Sequence, residues 1–209
     1  MIITHESERL ALQEIGQIVA QVLQRMGNAL EPGMTTRELD ALGLQWLTEA
    51  GARSAPQVMY QFPGATCISV NHQVAHGIPG DYVIQAGDMV NIDVSAEKNG
   101  FFGDTGSSFC VGKPTPAQAR LLQAGRDILA LAMKVATAGA KINEIGRVIS
   151  QASRERGYTF IRNLGSHGVG LSLHEAPKFI APYYDRQDKR RLKAGMVITI
   201  EPFISNGAH

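Results

Sequence analysis

Asn91-Ile92-Asp93-Val94-Ser95-Ala96-Glu97-Lys98-Asn99-Gly100-Phe101-Phe102-Gly103-Asp104-Thr105-Gly106 reads as two strands joined by Asn-Gly. Asn-Gly is the strongest short signal for a type I′ turn, because both central positions need positive φ. A two-residue turn pairs 98 with 101, so Asp93 opposes Gly106 and Asp104 opposes Ser95. Residues 93 and 95 share a face, since side chains alternate along a strand. Asp93 and Asp104 then project from one side as diagonal neighbours, ~7–8 Å apart at Cα. A three-residue loop would put them on opposite faces. Val90, Ile92 and Val94 point the other way, which supports the same-face register. Two like charges this close repel, and a divalent cation between them is the natural resolution. Two solvated aspartates on an exposed sheet face fit the hairpin equally well.

Around the hairpin lies a faint internal repeat. Leu10, Leu12, Ile15, Val19, Val22, Leu23 and Met26 space a helix, Glu31-Pro32-Gly33 interrupts it, and a second helix ends at Gly51. Leu121, Leu122, Ile128, Leu129 and Leu131 do the same before Gly139, and another helix ends at Gly157. Thr35-Thr36-Arg37-Glu38 and Asn143 signal the second helix of each pair. β-like sequence follows both times, Ala86-Gly87-Asp88-Met89-Val90-Asn91-Ile92-Asp93 and Ala194-Gly195-Met196-Val197-Ile198-Thr199-Ile200-Glu201. Aligned on Ala-Gly, Asp93 falls opposite Glu201. The expectation is an α+β chain read as one pseudo-symmetric domain over 1–209, with repeats at about 7–112 and 117–209 and Lys113-Pro114-Thr115-Pro116 as a rigid junction.

Composition narrows the class. The 209 residues are 44% hydrophobic and 19% charged, an ordinary globular mix. Lys plus Arg is 20 and Asp plus Glu is 19, a balance that gives no reason to expect nucleic acid or an anionic membrane as the main partner. Cys67 and Cys110 make no disulfide framework. No secretion signal opens the chain and no run of 18 apolar residues occurs, so a cytoplasmic protein is expected. Asp188-Lys189-Arg190-Arg191-Leu192-Lys193 reads most simply as a solvated loop.

His167 and His174 bracket a glycine-rich passage, and Glu175 follows. This is not the helical H-E-x-x-H zinc pattern, because Lys178 stands where the second histidine belongs. Alone, each histidine is compatible with a hydrogen-bonded core residue. His76, beside a turn, is a third candidate. Gly106 to Gly112-Lys113 has the wrong spacing for a phosphate loop, and Gly165, Gly168 and Gly170 do not space a dinucleotide fingerprint.

Asp93, Asp104, His167, His174 and Glu201, in that order and spacing, resemble the type I methionine aminopeptidases. The likeness runs from about residue 7 to the end. It is most specific in Cys67-Ile68-Ser69-Val70-Asn71 to His76-Gly77-Ile78-Pro79, Asn91-Ile92-Asp93-Val94 to Gly103-Asp104-Thr105, Ser166-His167-Gly168-Val169-Gly170 to His174-Glu175-Ala176-Pro177, and Ile200-Glu201-Pro202. It implies the pseudo-two-fold pita-bread fold, an antiparallel sheet flanked by helix pairs. It further implies removal of N-terminal methionine from nascent proteins and peptides, with two divalent metal ions (cobalt, manganese, iron or zinc). Asp93, Asp104, His167 and Glu201 would be metal ligands, with Glu201 also the general base and acid. His76 and His174 would hold the substrate and steady the tetrahedral intermediate, and Phe62, Cys67 and Leu173 match the methionine pocket, where Leu173 replaces a more usual aromatic. A monomer docking at the ribosome surface, without specific nucleic acid or membrane, completes the implied picture.

The chain departs from that pattern at its end. Family members continue several dozen residues past Ile-Glu-Pro and supply a second bridging glutamate, whereas His209 lies eight residues past Glu201. The repeat agrees: a counterpart to Asp104 would fall at position 212. The second half is therefore expected to be incomplete, with impaired metal binding and an unpaired Met196–Ile204 edge. The alternatives are a non-enzymatic binding protein on the same fold and a proline-directed aminopeptidase or dipeptidase.

Overall fold

The computed structural model describes residues 1–207 and divides the chain into two compact units. The first comprises His5–Gln118 and Gly170–Leu173. The second comprises Met1–Thr4, Ala119–Val169 and His174–His209.

In the first unit, helices α1 (Glu6–Ala29) and α2 (Thr36–Glu49) precede β1 (Arg53–Ser54), the short helix α3 (Ala55–Tyr60), β2 (Cys67–Val70), β3 (Met89–Lys98) and β4 (Phe101–Cys110). Helix α1 buries Ile15, Val19, Val22, Leu23 and Met26, one stripe at helical spacing. Helix α2 opens on the predicted capping box: Glu38 N–H donates to Thr35 Oγ1 at 3.1 Å, and Thr35 N–H donates to Glu38 Oε2 at 2.7 Å. Strand β3 is the axis of an antiparallel sheet. β4 pairs along one edge, while β2 and β1 share the other. Asn99 and Gly100 sit at φ 54° and 85°, as a type I′ turn requires, and the register is the expected one, Lys98 opposite Phe101 through Asp93 opposite Gly106. Val90, Ile92, Val94 and Ala96 are completely buried against the two helices. Each Val or Ile removed from water in this way contributes ~1.5–3 kcal/mol, so a one-residue slip would expose the whole set.

In the second unit, α4 (Pro116–Val135) and α5 (Asn143–Glu155) lead to β5 (Thr159–Phe160), β6 (Ser166–Gly168), β7 (Glu175–Ile180) and β8 (Ile204–Ser205). β6 pairs β7, and β5 pairs β8. Three details differ from expectation. The fully buried stripe of α4 is Ala124, Ile128 and Ala132, with Leu121, Leu122, Leu129 and Leu131 only half-buried; small side chains let the helix lie close to its neighbours. Asn143 is the first helical residue, and its side chain, instead of capping, donates to the carbonyls of Asp185 and Asp188 at 2.8 and 3.0 Å. The 194–201 segment is not a regular strand: Ala194 and Gly195 form a turn, and side-chain hydroxyls interrupt the ladder beyond it. Thr199 N–H donates to His167 O at 2.8 Å, whereas His167 N–H donates to Thr199 Oγ1 at 3.0 Å and Glu201 N–H to Ser166 Oγ at 2.9 Å.

The expectation of an unpaired edge at 196–204 is corrected at both ends. Ile2 bridges Met196, Ile3 N–H donates to Gly195 O, and Val197 N–H donates to Met1 O. At the far end Ile204 pairs with Phe160.

Two glycines of α1 give opposite expectations for one substitution. Nothing lies near a Cβ built on Gly16, whereas one built on Gly27 falls inside the Phe109 ring. Gly16→Ala should raise stability by about 0.5–1 kcal/mol through helix propensity. Gly27→Ala should lower it by about 1–3 kcal/mol through overpacking. Urea midpoints of the two variants measure both signs.

Candidate functional site

In the first unit Asp93 and Asp104 lie on the face of the β3–β4 hairpin opposite Val90, Ile92 and Val94. Asp93 stands across from Gly106 on one side and Cys67 on the other, and Asp104 across from Ser95. Gly106 carries no side chain to crowd Asp93, and Ser95 Oγ donates to Asp93 Oδ1 at 3.4 Å. Both carboxylates are half-buried. Their field reaches the flanking groups. Burial, then the charges of Asp93, Asp104 and Asp40, push the Cys67 thiol up to about 12. Burial and then Asp104 raise the Tyr60 hydroxyl. Cys67 is thus a neutral, buried, apolar wall at any working pH. Phe62 is half-buried on the loop leading to it, and Leu173 is buried in the same unit.

His76 is exposed on the loop after β2 and holds φ 55°, a conformation costly for a side chain with a Cβ. The surroundings impose it. Gly77 lies so close to Ile68 that a Cβ there would meet the Ile68 carbonyl oxygen. Ile68 N–H donates to Gly77 O at 2.9 Å, and Gly77 N–H donates to the buried Ser69 Oγ at 3.0 Å. The rest of the loop hangs on Asp88, which accepts from Asn71 Nδ2, the Tyr82 hydroxyl and Gln85 N–H at 2.8–2.9 Å. Burial pushes Asp88 upward, but these three hydrogen bonds outweigh it and hold the carboxyl below its ordinary value.

In the second unit His167 is 4% exposed on β6. Its Nδ1 lies 3.0 Å from Gly168 O, and a carbonyl can only accept, so Nδ1 carries the proton. The other nitrogen, Nε2, then presents a lone pair, 3.2 Å from Glu201 Oε1. Two acceptors facing one another at that distance need a proton or a cation between them. Thr199, two residues before Glu201 and on the same side of the chain, donates its hydroxyl to Glu201 Oε1 in a short hydrogen bond. The His174 ring lies 4.0 Å from that of His167, centroid to centroid.

The pattern defining metallopeptidase family M24 matches residues 11–208. The chain belongs to metallopeptidase family M24. It is 49% identical over all of its 209 residues to a methionine aminopeptidase of Staphylococcus epidermidis, of which it covers 83%. Its structure superposes on the crystal structure of methionine aminopeptidase from Rickettsia prowazekii with a TM-score of 0.93 and 34% identity, covering 99% of this chain and 84% of that one. The fold is therefore the pita-bread fold of M24. A prolidase from Pyrococcus furiosus superposes less well, at 0.83 and 26% identity, and this chain covers 59% of it.

Asp93 and Asp104 share one hairpin face with Cys67 across from Asp93, and His167 adjoins both Glu201 and His174, whereas His76 stands on its own loop. The sequence did not nominate the groups that hold them: Ser69 behind His76, Ser166 and Thr199 around Glu201, and Tyr60 near Asp104. A signal existed for two of them. Ser166 adjoins His167, and Thr199 precedes Glu201 by the strand period. Ser69 and Tyr60 depend on contacts across the fold.

The raised thiol of Cys67 has a direct consequence. Iodoacetamide at pH 8.5 should leave Cys67 unmodified in the native protein for hours and alkylate it within minutes after denaturation, read by peptide mass spectrometry. Rapid native labelling would show that the Asp93–Asp104 face does not suppress the thiolate.

Proposed function

We propose that this chain is a single catalytic domain that removes N-terminal methionine from proteins and peptides, using divalent metal ions. The observation that carries the reading is the 49% identity, along the entire chain, to a methionine aminopeptidase. Metal ligation would fall to Asp93 and Asp104 of the hairpin and to His167 and Glu201. The donors suit hard to borderline divalent ions: three carboxylates, and one imidazole whose tautomer is fixed by its neighbour's carbonyl. The facing acceptors Nε2 of His167 and Oε1 of Glu201 are the local reason to expect a cation. We propose two ions, drawn from cobalt, manganese, iron and zinc.

When bound, the ions acidify a water and polarise the scissile carbonyl. The chain's own groups do the rest. Glu201 takes the proton of the attacking water at a carboxylate oxygen and returns it to the leaving amine. Thr199 fixes the orientation of that carboxylate. His174 and His76 donate to the carbonyl oxygen as negative charge develops there. Phe62, Cys67 and Leu173 offer an apolar wall for the methionine side chain, and the protonated Cys67 adds no charge to it. We propose that its substrates are nascent chains at the ribosome surface.

Two experiments test this reading. With added Mn²⁺ or Co²⁺ the chain should release methionine from a Met-Ala-Ser peptide, and Asp104→Ala or Glu201→Gln should reduce the rate at least 100-fold. Absence of release from the folded chain, or equal rates in the variants, would refute it. Ser69→Ala, which frees the Gly77 N–H, should lower kcat about tenfold with KM nearly unchanged, because it loosens His76 without touching substrate. Ser69→Thr should restore part of the loss, and a change confined to KM would remove Ser69 from the catalytic argument.

A further inference from the structure

The net charge of +1 is the sum of two opposed units. The second unit carries fourteen Lys and Arg against seven Asp and Glu, and the first carries six against twelve, so they differ as +7 and −6. The cationic excess is organised. Residues 139–142 run antiparallel to 190–192, with Gly139 N–H donating to Leu192 O, Leu192 N–H to Ala140 O, and Ile142 N–H to Arg190 O, at 2.8–3.0 Å. Lys141 stands directly opposite Arg191. Ile142 and Leu192, the adjacent residues, are 1% and 6% exposed, which makes theirs the inner face of the ribbon. Lys141 and Arg191 therefore project outward. Lys189 and Lys193, two residues either side of Arg191, are exposed as well, and Lys189 Nζ donates to Arg186 O at 2.6 Å. Among the described residues none of these four has a carboxylate within ion-pair distance, whereas the neighbouring Arg190 is neutralised by Asp188.

The ribbon is held in place. Arg191 Nη1 donates to Gly139 O, and the buried Asn143 ties the 185–188 turn to the start of α5 through two carbonyls. Two aromatic residues of the same unit are open to solvent. Tyr184 is 47% exposed and Phe179 is 40% exposed, and Arg190 Nη2 donates to the Phe179 carbonyl. Lysine and arginine side chains combined with exposed flat rings are the residue types that bind a phosphate backbone while stacking unpaired bases. Insertion into a lipid surface would call for aliphatic side chains on an amphipathic helix, and the ribbon offers neither.

We propose that the ribbon carrying Lys141, Lys189, Arg191 and Lys193 is a docking surface for single-stranded RNA, bound through its phosphates without sequence preference. The proposal does not rest on the peptidase reading, and its test is separate. A fluorescein-labelled mixed-sequence 20-nucleotide RNA should raise its anisotropy on binding at 25 mM KCl. Log affinity should fall with log salt at a slope of about −2 to −3, as for three or four contacted phosphates on a single strand. Lys189→Gln/Arg191→Gln/Lys193→Gln should weaken binding at least tenfold and flatten the slope, with methionine release unchanged. Lys189→Gln/Lys193→Gln, which keeps the Arg191–Gly139 hydrogen bond, should lose a smaller part of both, and Lys113→Gln in the acidic unit should lose nothing. No binding at 25 mM KCl, or equal affinity and slope in the triple variant, would overturn the proposal. Tighter cosedimentation with phosphatidylglycerol vesicles than binding to the RNA would also overturn it, and would reassign the ribbon to membranes.

Discussion

Two residues, Asn99 and Gly100, hold the acidic half of the site together. A type I′ turn of two residues makes the register even, and an even register is the condition for Asp93 and Asp104 to share a face. The apolar residues on the reverse side lock that choice. Val90, Ile92, Val94 and Ala96 are all completely buried, so a one-residue slip would trade the core for solvent while turning the carboxylates inward. The hydrophobic term is far larger than the repulsion of two half-buried carboxylates. Core packing thus imposes an electrostatically unfavourable pair, which a cation between the two would relieve.

The second unit reaches a similar tension by a different route. There the backbone carbonyl of Gly168 fixes the proton of His167 on Nδ1, which leaves Nε2 facing the Glu201 carboxylate. Hydroxyls, not regular sheet bonds, aim the glutamate: Ser166 receives its amide and Thr199 donates to its oxygen. A regular ladder would have satisfied the same backbone groups but would have left the carboxylate free to rotate. The irregularity of the 194–201 segment is the physical counterpart of an oriented Glu201.

The hairpin, its register and the two helix pairs were legible in the sequence because local chemistry decides them. Asn-Gly demands positive φ, Thr35 and Glu38 cap each other within one turn, and the stripe of α1 repeats at helical spacing. The α4 stripe was harder. Leucines dominate any reading of hydrophobic spacing, yet the residues of that helix that are fully buried are Ala124, Ile128 and Ala132. The 194–201 segment looked like a strand because its composition is β-like, and only the hydroxyls of Ser166 and Thr199, which compete with carbonyls as partners, show why it is not regular. Asp93, Asp104, His167 and Glu201 stood out as residue types, whereas Ser69, which imposes the conformation of His76, is one hydroxyl among many until Gly77 is seen against it.

The charge distribution carries the same lesson to larger scale. A total of +1 is a statement about solubility and not about fields, since charges separated by more than a Debye length, about 8 Å at physiological salt, act independently. In the first unit the acids include the two carboxylates on the hairpin face, and in the second Lys141 and Arg191 stand opposite one another on an outward ribbon whose inner residues are core. The placement follows from folding: Leu192 and Ile142 must turn inward, and alternation then leaves Lys141 and Arg191 no side but the outer one. The 188–193 stretch is the solvated loop the sequence implies, with 190–192 paired to a second segment.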